Sequence, residues 1–326
     1  MAEDNVNRRS FLKQTLAGST LAAAFTGGYF ALRDEGLSLE TGKGEVRQRR
    51  QPVSLPPERP ALCIARGEDP EKLTAAAFKA FGGLAGVVSS GDVVLIKPNI
   101  GWDRPARLGA NTNPAVVRTI ARLCVDAGAK RVIVSDNPCN NPVRCFDRSG
   151  VKKALGDLPV EIHIPTERDF VEIDIQGQVV KTWPVLRVFL ECDRLINVPV
   201  AKHHSSAVLT MGMKNWYGIL GGGRRRGELH QNMARSIADL AAFARPDLTV
   251  LDAYRVVFRN GPQGGSPRDT REFKTVALGT DPVAIDAFGA TLFDLAVRDI
   301  PYIPLGVELG LGTADFDSLS PVELEV

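Results

Sequence analysis

The stretch between Gly91 and Asp136 constrains the fold more than any other part of this 326-residue chain. Val93, Val94, Leu95 and Ile96 make an unbroken apolar run leading into Lys97, Pro98 and Asn99. A half-exposed strand would alternate polar and apolar residues, whereas a continuous run marks a strand buried on both faces. Asn113 then stands where a side-chain amide can cap a helix. Pro114 takes the first helical position, where its missing N–H leaves no partner wanting. Val117, Ile120, Ala121, Leu123 and Cys124 carry the apolar stripe of that helix, and Gly128 ends it. Residues 131–135 are a second apolar strand that stops at Asp136. A strand, a crossover helix and a second buried strand are the repeating unit of a parallel sheet covered by helices.

The rest of the chain extends that unit. Strands are expected at 61–65, 160–164, 194–198, 248–251 and 273–278. Helices are expected at 70–81, 146–155, 184–191, 211–220, 233–243 and from Pro282, capped by Asp281, to 293. Residues 170–181 read as a hairpin. The fold class is α/β: a mainly parallel sheet with helices on both faces, plus a β-hairpin insertion or small subdomain. In such sheets ligands sit beyond the carboxyl ends of the strands. Lys97, Asn99, Asp136, the loop after residue 200 and Asp252 all follow strands at that end, so one shared site is expected there.

Residues 1–32 precede this pattern. Arg8 and Arg9 are followed by Phe11, Leu12, Lys13 and an apolar run diluted by Gly18, Gly27 and Gly28. The run is too weak for a permanent membrane span, and the order resembles a twin-arginine (Tat) export signal. A periplasmic protein is expected, either released or held by an uncleaved N-terminal anchor. Residues 33–60, rich in Arg, Glu, Gly and Pro, read as a solvated linker, which leaves 61–326 as the α/β domain. A net charge of +2 argues against general nucleic-acid binding.

Five cysteines do not make a disulfide framework in a chain of this length. Cys63, Cys124 and Cys192 lie in apolar contexts suited to a core. Cys139 and Cys145 share one polar loop, and an oxidising compartment makes a local disulfide between them the first reading. A thiolate pair on a metal is the second and two free thiols the third. No C-x-x-C spacing occurs, so an iron–sulfur cluster is not expected.

The chemistry concentrates between Asn197 and Gly223, where Lys202, His203, His204, Thr210, Lys214 and Asn215 lie between an apolar strand and a glycine run. Lys202 and Lys214, with Arg224, Arg225 and Arg226 after the glycines, suit a carboxylate or phosphate, with glycine amides approaching the anion closely. A solvated basic loop would read the same way. The glycines lack the Lys-Ser/Thr of a Walker A loop. His203, His204 and His230 are three of only four histidines. Because 203 and 204 are adjacent, one is expected to work while the other packs or is solvated. Histidine suits proton transfer near neutral pH. The expected catalytic residues are Lys202, His204 and His230. The expected substrate-binding residues are Lys97, Asn99, Asp136, Lys214, Asn215 and Arg224.

Several blocks together resemble a known family: VVLIKPN, NTNPAVV, AGAKRVIVSDNP, NVPVAKHHSSAVLTMGMKNWYGILGG, RRRGELH, LTVLDA and LGTDPVAIDA. They are similar to the family catalogued as domain of unknown function 362. The resemblance implies an α/β fold and a site drawing on Lys97, Asn99, Lys202, His204, Lys214, Asn215 and His230. His204 is the residue that aligns with that family's histidine. Family members often carry a ferredoxin-like module with clustered cysteines; this chain has none. Two functions follow. One is an enzyme for a small anionic substrate, assisted or not by a metal or redox cofactor. The other is a non-catalytic periplasmic protein that holds a metal or anion for a membrane-associated partner.

Overall fold

Helix starts follow the local chemistry of the chain. In the computed structural model, which describes residues 51–326, Asp69 accepts from Glu71 N and Lys72 N to open α1 (Pro70–Phe81). Asn113 accepts from Ala115 N to open α2 (Pro114–Asp126). Two shorter helices follow, α3 (Pro142–Arg148) and α4 (Val151–Leu155), then α5 (Arg187–Glu191) and α6 (Met233–Ala244). Asp281 caps α7 (Pro282–Thr291) through Val283 N and Ala284 N, and α8 (Tyr302–Glu308) comes last. Proline holds the first turn of α1, α2, α3 and α7, where its fixed φ is already helical.

Among the described residues one eight-stranded sheet organises the domain. Its order is β12 (Val322–Glu325), β1 (Leu62–Arg66), β11 (Thr270–Gly279), β10 (Leu248–Val257), β7 (Arg194–Val198), β2 (Val93–Pro98), β3 (Arg131–Ser135) and β4 (Glu161–His163). β11 runs antiparallel to β1 and β10, and the other neighbours pair in parallel. Alternate residues of these strands feed two separate cores. Leu95, Ile133 and Leu195 join the core under α6 and α7, with Ile237 and Phe288. Val94, Ile96, Val132 and Ile196 join the core under α1 and α2, with Phe78 and Ile120. The period-2 geometry of a strand thus turns a continuous apolar run into two buried faces.

Two hairpins stand outside the sheet: β5 (Phe170–Asp174) with β6 (Thr182–Leu186), and β8 (Lys202–His204) with β9 (Val208–Thr210). The first is longer than the expected 170–181, because residues 182–186 continue it. Pro184 sits inside β6, in a two-stranded ribbon with room for a residue that cannot donate. The helix expected from 184 therefore begins only at Arg187. The second hairpin is not evident in the sequence pattern. The expected helix at 211–220 is a tighter 3₁₀ helix over Met213–Ile219.

The expected linker also differs where it is described. Val53 N donates to Asp247 Oδ1 at 2.8 Å, and Val53 and Leu55 pack against the α1–α2 core. Arg59 donates to Gly83 O at 3.1 Å and stacks on Phe81. Residues 53–59 are docked to the domain through Val53, Leu55 and Arg59, while Ser54, Pro56, Pro57 and Glu58 are exposed. Val53 and Leu55 are the apolar pair that makes docking favourable. The twin-arginine pattern and residues 33–50 lie outside the described residues.

Candidate functional site

β2, β3, β7 and β10 run in parallel, so their carboxyl ends share one edge of the sheet. The chain leaving β2 carries Asn99, that leaving β3 carries Asp136, and that leaving β7 enters the β8–β9 hairpin. These segments enclose a cavity of about 470 Å³. Lys97, Asn99, Asp136, Lys202, His204, Lys214, Asn215 and His230 all line it, as do Arg226, Thr210 and Cys139.

Strand geometry sorts the histidine pair. In β8 successive side chains point to opposite faces, so Lys202 and His204 share a face and His203 has the other. Lys202 and His204 line the cavity, while His203 Nδ1 accepts from Gly261 N at 3.0 Å. Thr210 is the cross-strand partner of Lys202, on the same face. Sequence reasoning assigned Thr210 no role. A recognised hairpin would have placed it beside Lys202.

The base of the cavity is a closed polar network. Lys97 Nζ is fully buried and donates to Asp136 Oδ1 at 2.6 Å, Pro98 O at 2.9 Å and Asn215 Oδ1 at 3.1 Å. Asp136 Oδ2 takes Ile100 N at 2.6 Å. Asn215 Nδ2 donates to Asn197 Oδ1 at 2.8 Å, and Asn99 Nδ2 donates to Asn215 Oδ1 at 3.0 Å. Lys202 Nζ is held from this network, donating to Asn99 Oδ1 at 2.8 Å and to Ala110 O at 2.5 Å. A Cβ on Gly218 would lie 1.8 Å from Asp136 Oδ1, so the chain can pass the ion pair there only as glycine. The 3₁₀ helix that presents Lys214 and Asn215 is pinned by Asp286, whose carboxylate accepts Gly212 N at 2.7 Å and Met213 N at 2.9 Å.

The upper wall is cationic. Lys214 Nζ lies 4.4 Å from the centre of the Tyr217 ring, and no carboxylate among the described residues pairs with it. Arg226 is fixed by donating to Asn137 O, Pro138 O and Tyr217 O at 3.1–3.3 Å. Exposed His230 stands edge-on to Tyr217. Arg224 is exposed and does not line the cavity; Arg226 is the arginine of the run that does. Arg225 stacks on Trp183 at 4.2 Å. Within the glycine run Gly221 serves packing, while Gly223 lines the cavity. Gly221 N donates to Pro184 O at 2.8 Å, and a Cβ there would lie 2.8 Å from the Phe170 ring.

Burial and mutual repulsion shape the titration of this wall. Burial pushes the Lys202 ammonium down to about 7 and that of Lys214 down to about 8. Burial also lowers Lys97, against the pull of Asp136. His204 falls to about 3, through burial first and then the nearby Lys214 and Lys202. Its Nδ1 accepts from Ser206 N at 3.1 Å and Ala207 N at 3.2 Å, which assigns the proton to Nε2. His204 is a neutral hydrogen-bond donor and a poor base. Lys202 is the group whose protonation changes near neutral pH.

Cys139 and Cys145 are both free thiols, and the expected disulfide is not formed. Cys145 lies within α3, where Asn141 caps the helix and turns that side chain into the core beside Phe146. Cys139 is exposed and faces the cavity. No group of three or more His, Cys, Asp or Glu side chains placed to hold a metal ion occurs among the described residues. The cavity wall itself offers ammonium and guanidinium groups, and these repel a bare cation.

Comparison with known proteins follows the same blocks. The family model for the domain of unknown function DUF362 matches residues 94–291. A thylakoid-associated protein of Synechocystis sp. is 30% identical over 246 residues, covering 71% of this chain and 72% of that protein. The lactate racemase apoprotein from Thermoanaerobacterium thermosaccharolyticum superposes with a TM-score of 0.43 at 13% identity, over 76% of this chain. That alignment spans 59% of the racemase chain. The match over residues 94–291 takes in β2 to α7 and every residue that lines the cavity, and the chain belongs to the DUF362 family.

Proposed function

We propose that this protein is an enzyme that binds a small carboxylate or phosphate in the cavity and moves a proton through Lys202. The observation that carries this reading is the charge of the wall. Lys97, Lys202, Lys214 and Arg226 face a single carboxylate, Asp136, which Lys97 already engages. Burying such a set is unfavourable unless an anion joins it. Lys214 and Arg226 hold the anionic group. Lys202, neutral for part of the time near pH 7, accepts a proton from the substrate on Nζ. His204 donates Nε2–H to the oxygen on which charge develops, and needs no change of protonation to do so. A metal or redox cofactor would add to this set rather than replace it.

The test is hydrogen exchange at carbon in deuterated water, followed by NMR over a panel of small carboxylates and phosphate esters. Wild type should exchange one substrate's proton, and Lys202→Met should lose exchange while keeping most of the binding. Exchange by the Lys202→Met protein at the wild-type rate would end this assignment.

A second reading is a non-catalytic anion carrier serving a membrane-associated partner. The relative from Synechocystis sp. is named a thylakoid-associated protein, and that name favours it. Saturable binding without exchange or turnover would support it. In either case we propose periplasmic export by the Tat route, from Arg8 and Arg9 ahead of the weak apolar run. Changing both to lysine should leave folded protein in the cytoplasm. Normal periplasmic yield in that double variant would contradict export by this route.

A further inference from the structure

Among the described residues several buried side-chain polar atoms lack a hydrogen-bond partner, and of these Thr210 Oγ1 belongs to a residue lining the cavity. Thr210 is 4% exposed. Proteins keep very few such groups, because a buried hydroxyl without a partner destabilises the fold. Valine fills the same volume without that penalty, and β9 is otherwise apolar at this point, with Leu209 and Met211 on either side both buried in the core. The face on which the Thr210 side chain stands is set by the strand pairing. Thr210 pairs with Lys202 across the β8–β9 ribbon, so its side chain stands on the same face as Lys202 and His204.

We propose that Thr210 is a ligand contact that gives the site its selectivity: its hydroxyl meets a second oxygen on the bound anion, beyond the charged group held by Lys214 and Arg226. The proposal rests on the anion-binding reading above and narrows its substrate class. The ligand is a small anion with an additional hydroxyl or carbonyl oxygen next to the charged group. Two donors converge on that second oxygen. Lys202 keeps its third Nζ position, beside those that donate to Asn99 Oδ1 and Ala110 O, for the proton it accepts. His204 contributes Nε2–H, because its Nδ1 is engaged by backbone amides. Thr210 contributes O–H. A site built to hydrogen-bond a hydroxyl discriminates strongly against the analogue that lacks it, because its own polar groups are then left unpaired. The donor set accepts either a carboxylate or a phosphate as the charged group, and the choice of probes separates the two.

Glycolate and acetate carry the same charge and differ by one hydroxyl, and hydroxymethylphosphonate keeps that hydroxyl while exchanging the carboxylate for a phosphonate. Melting temperature and titration calorimetry with each probe are compared for wild type, Thr210→Val and Thr210→Ser. Wild type should bind glycolate or hydroxymethylphosphonate at least tenfold more tightly than acetate. Thr210→Val should bring the glycolate and acetate affinities to within about threefold without abolishing acetate binding, and Thr210→Ser should restore the preference. Thr210→Val should also raise the melting temperature of the anion-free protein by about 2 °C, as expected on removing an unpaired buried hydroxyl. A lower melting temperature in Thr210→Val, with Thr210→Ser unaffected, would show that the hydroxyl serves the fold and would overturn the proposal. So would an unchanged glycolate-to-acetate ratio in a well-folded Thr210→Val protein. Absence of binding by wild type to all three anions would instead reject the anion-site reading itself, and the proposal with it.

Discussion

Two sets of buried charges meet in this domain, and the protein compensates only one of them. Behind the cavity, Lys97 has three acceptors for its three N–H groups. Asp252 takes Asn113 N and Tyr254 N, and Asp286 takes Gly212 N and Met213 N. On the cavity wall, Lys214 rests on an aromatic face, and the Thr210 hydroxyl has no partner among the described residues. The first set holds the strand ends together. The second set is complete only when something else supplies acceptors. Burial alone therefore does not separate scaffold from site; among the residues lining the cavity, the partners each polar group already has do.

The sharpest way to break this comparison is to remove a compensated charge. Lys97→Met leaves Asp136 buried without its cation and should cost about 3–5 kcal/mol in chemical denaturation. A smaller loss, below about 1 kcal/mol, would mean that the pair is not structural. Gly218→Ala comes next. Its methyl group would overlap Asp136 Oδ1, and about 1–3 kcal/mol of destabilisation is expected from that crowding. Removing an uncompensated charge should do the opposite: anion-free Lys214→Met should melt no lower than wild type.

Much of the scaffold was legible from local chemistry. Val93 to Lys97, Asn113 with Pro114, and Asp281 with Pro282 each specify an element through burial pattern or cap, and each stands as read. The parallel order of the strands followed from them and put Lys97, Asn99 and Asp136 on one edge. The β8–β9 hairpin was not legible, since three-residue strands give too little alternation to register. Without it, Lys202 and His204 could not be assigned one face, nor Thr210 placed beside them. Arg224 and Arg226 were indistinguishable in sequence. Only the carbonyls of Asn137, Pro138 and Tyr217 select Arg226, and the first two come from a distant part of the chain. The Cys139–Cys145 pair misled for a related reason. Proximity in sequence does not show that a helix cap turns one of the two thiols inward.

The uncompensated set should also announce itself through pH. Unfolded Lys202 and Lys214 keep their protons up to about 10.5, whereas the folded protein releases them near 7 and 8. The unfolded state thus binds more protons between these limits, so stability of the anion-free protein should rise from pH 7 to pH 9.5. Bound anion favours the charged lysines, so anion affinity should fall over the same range, by up to about tenfold per pH unit for each lysine that takes up a proton. Affinity that stays flat from pH 7 to 9.5 would mean that neither lysine titrates in the site. The smallest effect is in the thiols. Burial pushes Cys145 up to about 12 and Cys124 higher still, while Cys139 is exposed. Native protein should therefore take up one equivalent of iodoacetamide quickly, at Cys139, and peptide mapping should find Cys145 unmodified until the protein is denatured. Equal labelling of both would place Cys145 outside the core.

The most direct test of the central claim is calorimetric titration of wild type and Lys214→Met with inorganic phosphate and with glycolate at pH 8, in two buffers of different ionisation enthalpy. Wild type should bind at least one of the two saturably and take up protons as it does so, because the anion raises the affinity of the cavity lysines for their protons. Lys214→Met should lose that binding while remaining as stable as wild type without ligand. Binding of equal strength in Lys214→Met, with no proton uptake in either protein, would contradict the account.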